Sequence, residues 1–423
     1  MISIVLIVFF LFLIIGVPIA HTVMIASTVG AMGGGSDATI VIQQLFEGLN
    51  SYTLLAVPFF IISGNIAANG NTSSGIVNTI NAFLGRFKGG LGIATIFACV
   101  FFGAVTGSAI ATVVAIGALM LPQLLERGYP RGLCLGIITA SGTLGVMIPP
   151  SIAMLLVSVA MGSSVSKQFL AGFLPGLITA LGFSLYTWYR AKRLKIPVEP
   201  AVPFFEKLRV VKKSIWALMF PVIILGGIYS GVATPTEAAI ISVFYVLLVE
   251  LLIYKTMTIK QIFTTIKDSI VSAAVLTITV ATARVFVWYL TTQRIPTKLF
   301  NFIIEYIDNG YTLLFCLVLL FIIAGCFVEV SSVVIILGPV LLNVLNHFDI
   351  NLIHFGIIAI MCAQIGFISP PYGICLFVSM KVGKASLVEV IRGTAPFLII
   401  MVLCTALFIM VPEISLFLPN LFS

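Results

Sequence analysis

The chain has 423 residues, of which 60% are hydrophobic and only 9% are charged. Soluble domains carry roughly 25% charged residues, so this composition cannot cover a water-exposed surface and indicates an integral membrane protein. The net charge of +8 lies in short segments between apolar runs. That pattern is an orientation signal of membrane proteins, and we expect no nucleic-acid partner.

Apolar runs of about 20 residues predict membrane-spanning helices, because a helix forms all its backbone hydrogen bonds within one segment in lipid. The strands of membrane barrels would instead show a weak alternation of apolar and polar residues over about ten positions. The first run, 2–34, exceeds one crossing, and Gly16-Val17-Pro18 divides it into two spans. Further apolar segments follow in chain order, with one amphipathic stretch at 72–85: 52–69, 91–125, 133–161, 168–189, 214–232, 235–254, 270–291, 311–346, 354–381 and 394–412.

Two of these blocks, 91–125 and 311–346, are long for one span and have helix-weakening centres. We expect hairpins that enter and leave on the same side, although two full spans each would keep the same parity. The segment 190–213 holds eight basic and two acidic residues, which predicts a cytoplasmic linker. This topology puts 18 of the 22 basic residues in the cytoplasm and both termini outside it.

The chain contains an internal repeat. Shifted by 221 residues, segment 107–175 aligns without a gap on 328–396, and backbone-breaking residues coincide. Chance similarity of apolar sequence does not predict aligned tandem prolines. The coinciding pairs are Gly117/Gly338, Gly145/Gly366, Pro149/Pro370, Pro150/Pro371, Gly162/Gly383, Gly172/Gly393 and Pro175/Pro396. Because the topology gives the two units opposite orientations, the repeat is inverted, which is the architecture of secondary transporters.

Both Pro-Pro pairs lie in the middle of a predicted span, where proline removes a backbone donor and stops the helix. A single proline would suggest only a kink, but two matched pairs favour two broken helices. Carbonyls before a break can bind a cation, and the helix N-terminus after it can attract an anion. The preceding hairpins add hydroxyl-rich centres, so oxygen ligands for a hard cation such as Na⁺ come together.

These patterns predict two sodium sites, one per repeat. The first comprises Thr106, Ser108, Thr112, Gly145, Ile148 and Pro149, and the second comprises Gly325, Glu329, Ser331, Ser332, Gly366 and Ser369. An anionic substrate is expected between the two hairpin tips. The candidate substrate-binding residues are Ser108, Ser151, Arg284, Glu329, Ser331 and Tyr372.

Two charged candidates also have structural interpretations. Glu329 is an intramembrane carboxylate, which is a functional candidate by default but could be a paired structural acid. Arg284 lies within a span and needs a partner, a water path or a route to the interface. The chain shows neither a convergent nucleophile and base nor a Walker A loop, so we expect neither an enzyme nor an ATPase, and no cofactor besides Na⁺ as coupling ion.

The early Gly16-Val-Pro-Ile-Ala20, the run Gly231-Val-Ala-Thr-Pro-Thr-Glu-Ala-Ala239 and the paired Gly-x-x-x-Pro-Pro breaks resemble the large membrane subunit of TRAP (tripartite ATP-independent periplasmic) transporters. The resemblance covers essentially the whole chain and is closest to the sialic-acid branch, although no single residue decides that. Glu329 departs from the Asp expected in many relatives.

The resemblance implies an all-α polytopic protein of the bacterial inner membrane, with an ion-transporter-like inverted repeat, two re-entrant hairpins and two broken helices. It also implies a small four-helix membrane subunit and a periplasmic binding protein as partners, and an elevator mechanism. The distribution of basic residues described above places both termini in the periplasm. On this basis we expect scaffold at 1–90 and 214–310, transport domain at 91–189 and 311–423, and the basic linker 190–213 between them.

The leading functional hypothesis is Na⁺-coupled import of an organic acid of the sialic-acid or C4-dicarboxylate class. The alternative within the same fold is a stand-alone sodium/anion symporter that needs no binding protein. A passive channel would require polar residues repeating along several spans, and the sequence lacks them.

Overall fold

The computed structural model describes residues 2–85, 87–198 and 203–422. Arg86, one of the basic residues predicted to be cytoplasmic, and positions 199–202 of the predicted linker lie outside the described residues. The described chain is built of helices, without a strand in those ranges. Within them, nine helices are long and apolar enough to cross a membrane, or ten if one bent pair counts as a single span.

The first half of the chain contains ten α-helices. Gly16 adopts a positive φ of 86° between the first two, so the predicted division of 2–34 is confirmed. The ten are α1 (Ile2–Ile14), α2 (Ile19–Gly33), α3 (Ala38–Leu49), α4 (Ala56–Asn69, preceded by a 3-10 turn at Tyr52–Leu55), α5 (Asn71–Leu84), α6 (Gly90–Thr106), α7 (Ala109–Glu126), α8 (Arg131–Leu144), α9 (Ile152–Met161) and α10 (Val165–Arg193).

The second half repeats this order with one long helix in place of α3 and α4. Its helices are α11 (Phe204–Tyr229), α12 (Pro235–Leu248, extended by a π-helical turn at Val249–Ile253), α13 (Ile259–Thr292), α14 (Ile295–Tyr306), α15 (Gly310–Phe327), α16 (Val330–His347), α17 (Leu352–Phe367), α18 (Ile374–Gly383), α19 (Leu387–Met410) and the additional α20 (Glu413–Leu421). Thr234 and Glu237 form a capping box that starts α12.

The internal repeat is visible in the helix bounds. The first and last residues of α16 lie 221 positions after those of α7, and α17 likewise begins 221 positions after α8. The two units also exchange contacts: α8 packs on α19 and α17 on α10, while α7 packs on α18 and α16 on α9. This reciprocal packing fits two related units and confirms two hairpins, α6–α7 and α15–α16, each followed by a broken helix.

Several helices are longer than the sequence indicates. The basic segment 190–213 is a linker only in part, because α10 continues to Arg193 and α11 begins at Phe204. Helix α13 begins at Ile259, well before the predicted span at 270. Its polar first turns lower the average hydropathy without interrupting the helix, since Thr258 and Gln261 form a capping box there. Helices α3, α14 and α20 have no counterpart among the predicted elements.

The remaining helices pack mainly with one another. Helix α13 contacts α2, α3 and α4, α12 contacts α4, and α11 contacts α5. They touch the hairpin units chiefly where α4 and α5 meet α6 and where α13 and α14 meet α16. The assignment of scaffold and transport domain stays a prediction, because it concerns which group moves.

Candidate functional site

In the first repeat, the hairpin and the helix break touch through glycines. A β-carbon placed on Gly145, where α8 ends, would lie 2.3 Å from the Cα of Gly103 in α6. Gly107, at the hairpin tip, has a φ of 64°, and a β-carbon there would lie 2.6 Å from Cδ1 of Ile152 in α9. The absence of side chains therefore lets the hairpin backbone lie directly against both sides of the break.

Three hydroxyls cluster at this first tip. The Oγ1 atoms of Thr106 and Thr112 are 3.4 Å apart, and the Thr112 hydroxyl donates to the Ser108 carbonyl at 2.8 Å. Ser108 caps α7 by accepting from the Ala111 N–H at 3.3 Å. A β-carbon on Gly103 would lie 3.2 Å from Thr112 Oγ1, so the hydroxyl cluster adjoins the glycine contact. The tip thus offers uncharged oxygens beside the break, a donor set that suits Na⁺.

The other predicted members of this site have less direct roles. Ile148 and Pro149 are buried in the break, and only their backbone carbonyls could bind a cation, because neither side chain carries a ligand atom. Ser151 is fully buried, donates to the Val146 carbonyl and caps α9. In this conformation its hydroxyl is engaged by the backbone.

The second repeat shows the same glycine contact. A β-carbon on Gly366, where α17 approaches its end, would lie 2.5 Å from the carbonyl carbon of Gly325 in α15. The Cys326 thiol lies 3.9 Å from the Pro370 carbonyl oxygen, which joins the end of α15 to the break. The Pro149–Pro150 and Pro370–Pro371 peptide bonds are both cis. Both repeats therefore place a hairpin tip against a Pro-Pro break.

The oxygens of the second tip differ from those of the first. Ser331 and Ser332 are buried, and within the described ranges their hydroxyls form no hydrogen bond. Glu329 occupies the N-cap position of α16, where its side chain is accessible at the surface but closely surrounded by protein, and its carboxylate does not cap that helix. This tip presents two free hydroxyls and one exposed carboxylate, a combination that can coordinate a cation.

Two further predicted residues belong to the second break. Ser369 follows the end of α17, and its hydroxyl donates to the Ile365 carbonyl at 2.6 Å, a local side-chain to backbone bond that serine commonly forms. Tyr372 is 53% exposed, and its ring stacks on Phe327 with centroids 6.4 Å apart and planes 15° apart. Tyr372 therefore lines the surface beside the second tip.

Arg284 lies in a different environment from the tips. Its guanidinium pairs with Glu47 of α3, with an N–O distance of 3.7 Å, and both side chains are more than half exposed. A β-carbon on Gly48 would lie 2.8 Å from the Arg284 Cβ, so α3 and α13 are in close contact here. In this conformation Arg284 is joined to α3, and among the described residues it forms no direct bond with either tip.

One residue beside the second break was missed by sequence reasoning. Gln364 is fully buried in α17, two residues before Gly366, and neither amide atom finds a partner among the described residues. A buried amide without partners is costly, so it is a candidate ligand for an ion or water. The signal was available as a single amide in a helix that is apolar from Phe355 to its end.

A second missed residue, Glu250, is a buried carboxylate far from either break in sequence. It is fully buried at the end of α12 and accepts hydrogen bonds from the N–H groups of Asn71 and Thr72, at 2.9 and 2.8 Å. The hydroxyls of Thr72 and Thr256 also donate to it. Glu250 caps the N-terminus of α5 from a distant helix, and its satisfied hydrogen bonding indicates a structural role.

Comparison with known families agrees with this architecture. The family described as "Tripartite ATP-independent periplasmic transporter, DctM component" matches residues 6–414. The chain is 37% identical to a C4-dicarboxylate TRAP transporter large permease protein of Pseudomonas aeruginosa, over 89% of this chain and 88% of the relative. It is 34% identical to an ectoine TRAP transporter large permease protein of Halomonas elongata, over 97% and 96% of the two chains.

The fold also resembles a solved structure with little sequence similarity. The Alcanivorax borkumensis YdaH transporter superposes with a TM-score of 0.62 at 15% identity, over 88% of each chain. At this identity the likeness concerns the fold alone.

Proposed function

Because the chain belongs to the DctM component family of tripartite ATP-independent periplasmic transporters, we propose that it is the permease of a sodium-coupled importer of an organic acid. Members of this family are transport proteins and not enzymes. The observation that carries the proposal is the matched contact between hairpin tip and helix break in each repeat, through Gly103 with Gly145 and Gly325 with Gly366.

The proposed sodium sites are built mainly from uncharged oxygens. In the first repeat they are the hydroxyls of Thr106, Ser108 and Thr112 together with carbonyls of the break. In the second repeat they are the unbonded hydroxyls of Ser331 and Ser332, with Glu329 beside them. Oxygen ligands of this kind favour a hard cation such as Na⁺. Because few of them are charged, they bind the ion weakly enough to release it on the cytoplasmic side.

The proposed substrate site lies between the two tips. Helix α16 begins at the second tip and α18 begins just after the second break, and in the part of the chain that the structure describes no side chain caps either N-terminus. Their first N–H groups can bind a carboxylate, with a contribution of roughly 0.3–2 kcal/mol for each contact. Contacts of this strength suit a permease that receives substrate from a binding protein and must release it inside.

Substrate class and partners belong to the same proposal. Curated relatives carry C4-dicarboxylates, ectoine and isethionate in their names, so the family accommodates several small acids. We propose a C4-dicarboxylate or sialic acid as the substrate, delivered by a periplasmic binding protein. A small four-helix membrane subunit would pair with the scaffold while the hairpin units move as an elevator in the inner membrane.

Uptake into proteoliposomes tests this function. Vesicles containing the chain and a small TRAP membrane subunit would be given labelled succinate or sialic acid, with and without an inward Na⁺ gradient and with and without a periplasmic binding protein. We expect uptake of one of the two acids, and only when the Na⁺ gradient and the binding protein are both present. Uptake that a K⁺ gradient supports equally well would contradict sodium coupling. Full uptake without the binding protein would instead favour the stand-alone symporter.

A further inference from the structure

A cavity of about 390 Å³ lies between the two repeats, away from the helix breaks. Its walls come from the first turns of α8 and α19 and the last turns of α10, including Pro130, Gly132, Ser386 and Val388. The first break lies at the opposite end of α8, thirteen residues beyond Gly132, which is about 20 Å along the helix. The cavity is therefore separate from the proposed transport site.

The charged side chains that line this cavity are two arginines and one glutamate. Arg190 and Arg392 line it, and within the described residues neither of them forms an ion pair. The Nε atom of Arg190 is buried without a hydrogen-bond partner among those residues. The one carboxylate in the lining, Glu389, faces the Arg131 guanidinium at 3.7 Å. The charges of that pair offset each other, so two guanidinium groups remain available.

Two helix N-termini add to this positive potential. Helix α8 begins after Pro130, which has no side chain that could cap it, and α19 begins after Ser386. The two helices meet at backbone distance, since a β-carbon on Gly393 would lie 2.0 Å from the Gly132 carbonyl oxygen. The Ser386 hydroxyl caps α19 by accepting from the Glu389 N–H at 3.3 Å, which leaves the other first N–H groups of α19 and those of α8. These groups and the two helix dipoles converge with the arginines on one cavity, an arrangement that binds oxyanions.

The neighbouring surface marks this cavity as a membrane-interface site. On α10, Tyr186 lines the cavity, Trp188 and Tyr189 are exposed, and Lys192 lies 5.2 Å from the Trp188 ring centroid. Exposed Trp and Tyr with a nearby Lys are typical of the headgroup level of a bilayer. The basic loops predict that this end of α10 is cytoplasmic, the side where anionic lipids attract basic residues.

We propose that this cavity binds a phosphate group held mainly by Arg190 and Arg392, and that its source is the headgroup of an anionic phospholipid. The volume exceeds that of a bare phosphate and leaves room for a glycerol moiety beside it. A bound headgroup would contact α8 of one repeat and α19 of the other, and it would join the two units at their cytoplasmic ends. Neither the sodium sites nor the identity of the transported acid enters into this inference.

Lipid binding to the purified full chain tests the proposal. Native mass spectrometry would measure the apparent affinity for phosphatidylglycerol and for phosphatidylcholine, in wild type and in Arg190→Gln/Arg392→Gln. We expect a preference for phosphatidylglycerol that falls about tenfold or more in the variant, because two charge-assisted contacts are lost. Arg209→Gln/Lys212→Gln is the matched control, since both residues are exposed and basic on α11. It should bind like wild type.

Two further measurements decide the remaining outcomes. The first is binding of glycerol 3-phosphate in detergent. If this binding depends on Arg190 and Arg392 while the protein shows no preference for phosphatidylglycerol over phosphatidylcholine, the cavity is a phosphate site but its ligand is not a lipid. If wild type and Arg190→Gln/Arg392→Gln bind phosphatidylglycerol equally well, and also bind glycerol 3-phosphate equally well, the proposal is overturned. Arg392 is exposed, so Arg392→Gln alone should fold and still weaken lipid binding several-fold. Circular dichroism would confirm folding of each variant.

Discussion

The contact between hairpin and break predicts a strong effect of adding one methyl group at Gly103. A β-carbon there would lie 2.5 Å from the Gly145 Cα, whereas non-bonded carbons are most favourable at about 3.5–4.0 Å. The hairpin and the break must therefore separate by roughly 1 Å in Gly103→Ala, at a cost of about 1–3 kcal/mol. Alanine returns up to about 1 kcal/mol in helix propensity, so the net destabilisation should be about 1–2 kcal/mol.

Thermal unfolding in detergent and uptake by proteoliposomes measure this effect. Gly103→Ala should lower Tm by roughly 1–2 °C, as the unfolding entropy of a chain of this length implies. It should reduce uptake strongly, because the proposed ligands shift with the tip. Gly325→Ala should do the same in the second repeat, where a β-carbon would lie 2.7 Å from the Ala363 carbonyl oxygen. Gly226→Ala in α11 is the matched control, since its β-carbon would meet nothing within 4 Å. Wild-type Tm and uptake in Gly103→Ala would refute the reasoning.

Three other substitutions follow from the buried and charged groups. Glu250→Gln should destabilise the chain by about 2–3 kcal/mol in thermal unfolding, because an amide cannot accept all the hydrogen bonds that converge there; an unchanged Tm would contradict the capping role. Gln364→Leu should raise Tm by removing an unsatisfied amide yet lower Na⁺-dependent uptake, and wild-type uptake would exclude it as a ligand. Arg284→Gln should leave the half-saturating substrate concentration within about threefold, as expected of an exposed pair with Glu47; a rise of a hundredfold or more would show direct substrate binding.

The sequence located breaks and turns best where glycine or proline itself constrains the backbone. Tandem prolines located both breaks, and Gly16 with Pro18 located the first turn, because such residues restrict the main chain without reference to distant contacts. Helices α3 and α14 were not predicted, since they are short and their stability depends on packing against α13 and α16. The start of α13 was placed too late because hydropathy marks the apolar part of a helix and not its polar turns.

Long-range contacts explain the remaining differences at the candidate site. The pairing of Gly103 with Gly145 depends on how a hairpin folds back, and single glycines in apolar helices carry no mark of it. Arg284 suggested a substrate contact only because its partner Glu47 lies in a helix that was not predicted. Glu250 caps the N-terminus of α5, which begins 179 residues earlier in the chain. Such partners are set by tertiary packing, which local patterns do not encode.

Equilibrium binding of ²²Na⁺ tests the central claim of one cation site per repeat most directly. Scintillation proximity would give the number of ions bound by wild type, Ser108→Ala and Ser332→Ala. Ser164→Ala is the control, because it also removes a helix cap, that of α10, but lies outside both tips. We predict that each tip variant binds one ion fewer, or binds it at least tenfold more weakly, while the control is unchanged. Wild-type Na⁺ binding by both tip variants would contradict the account.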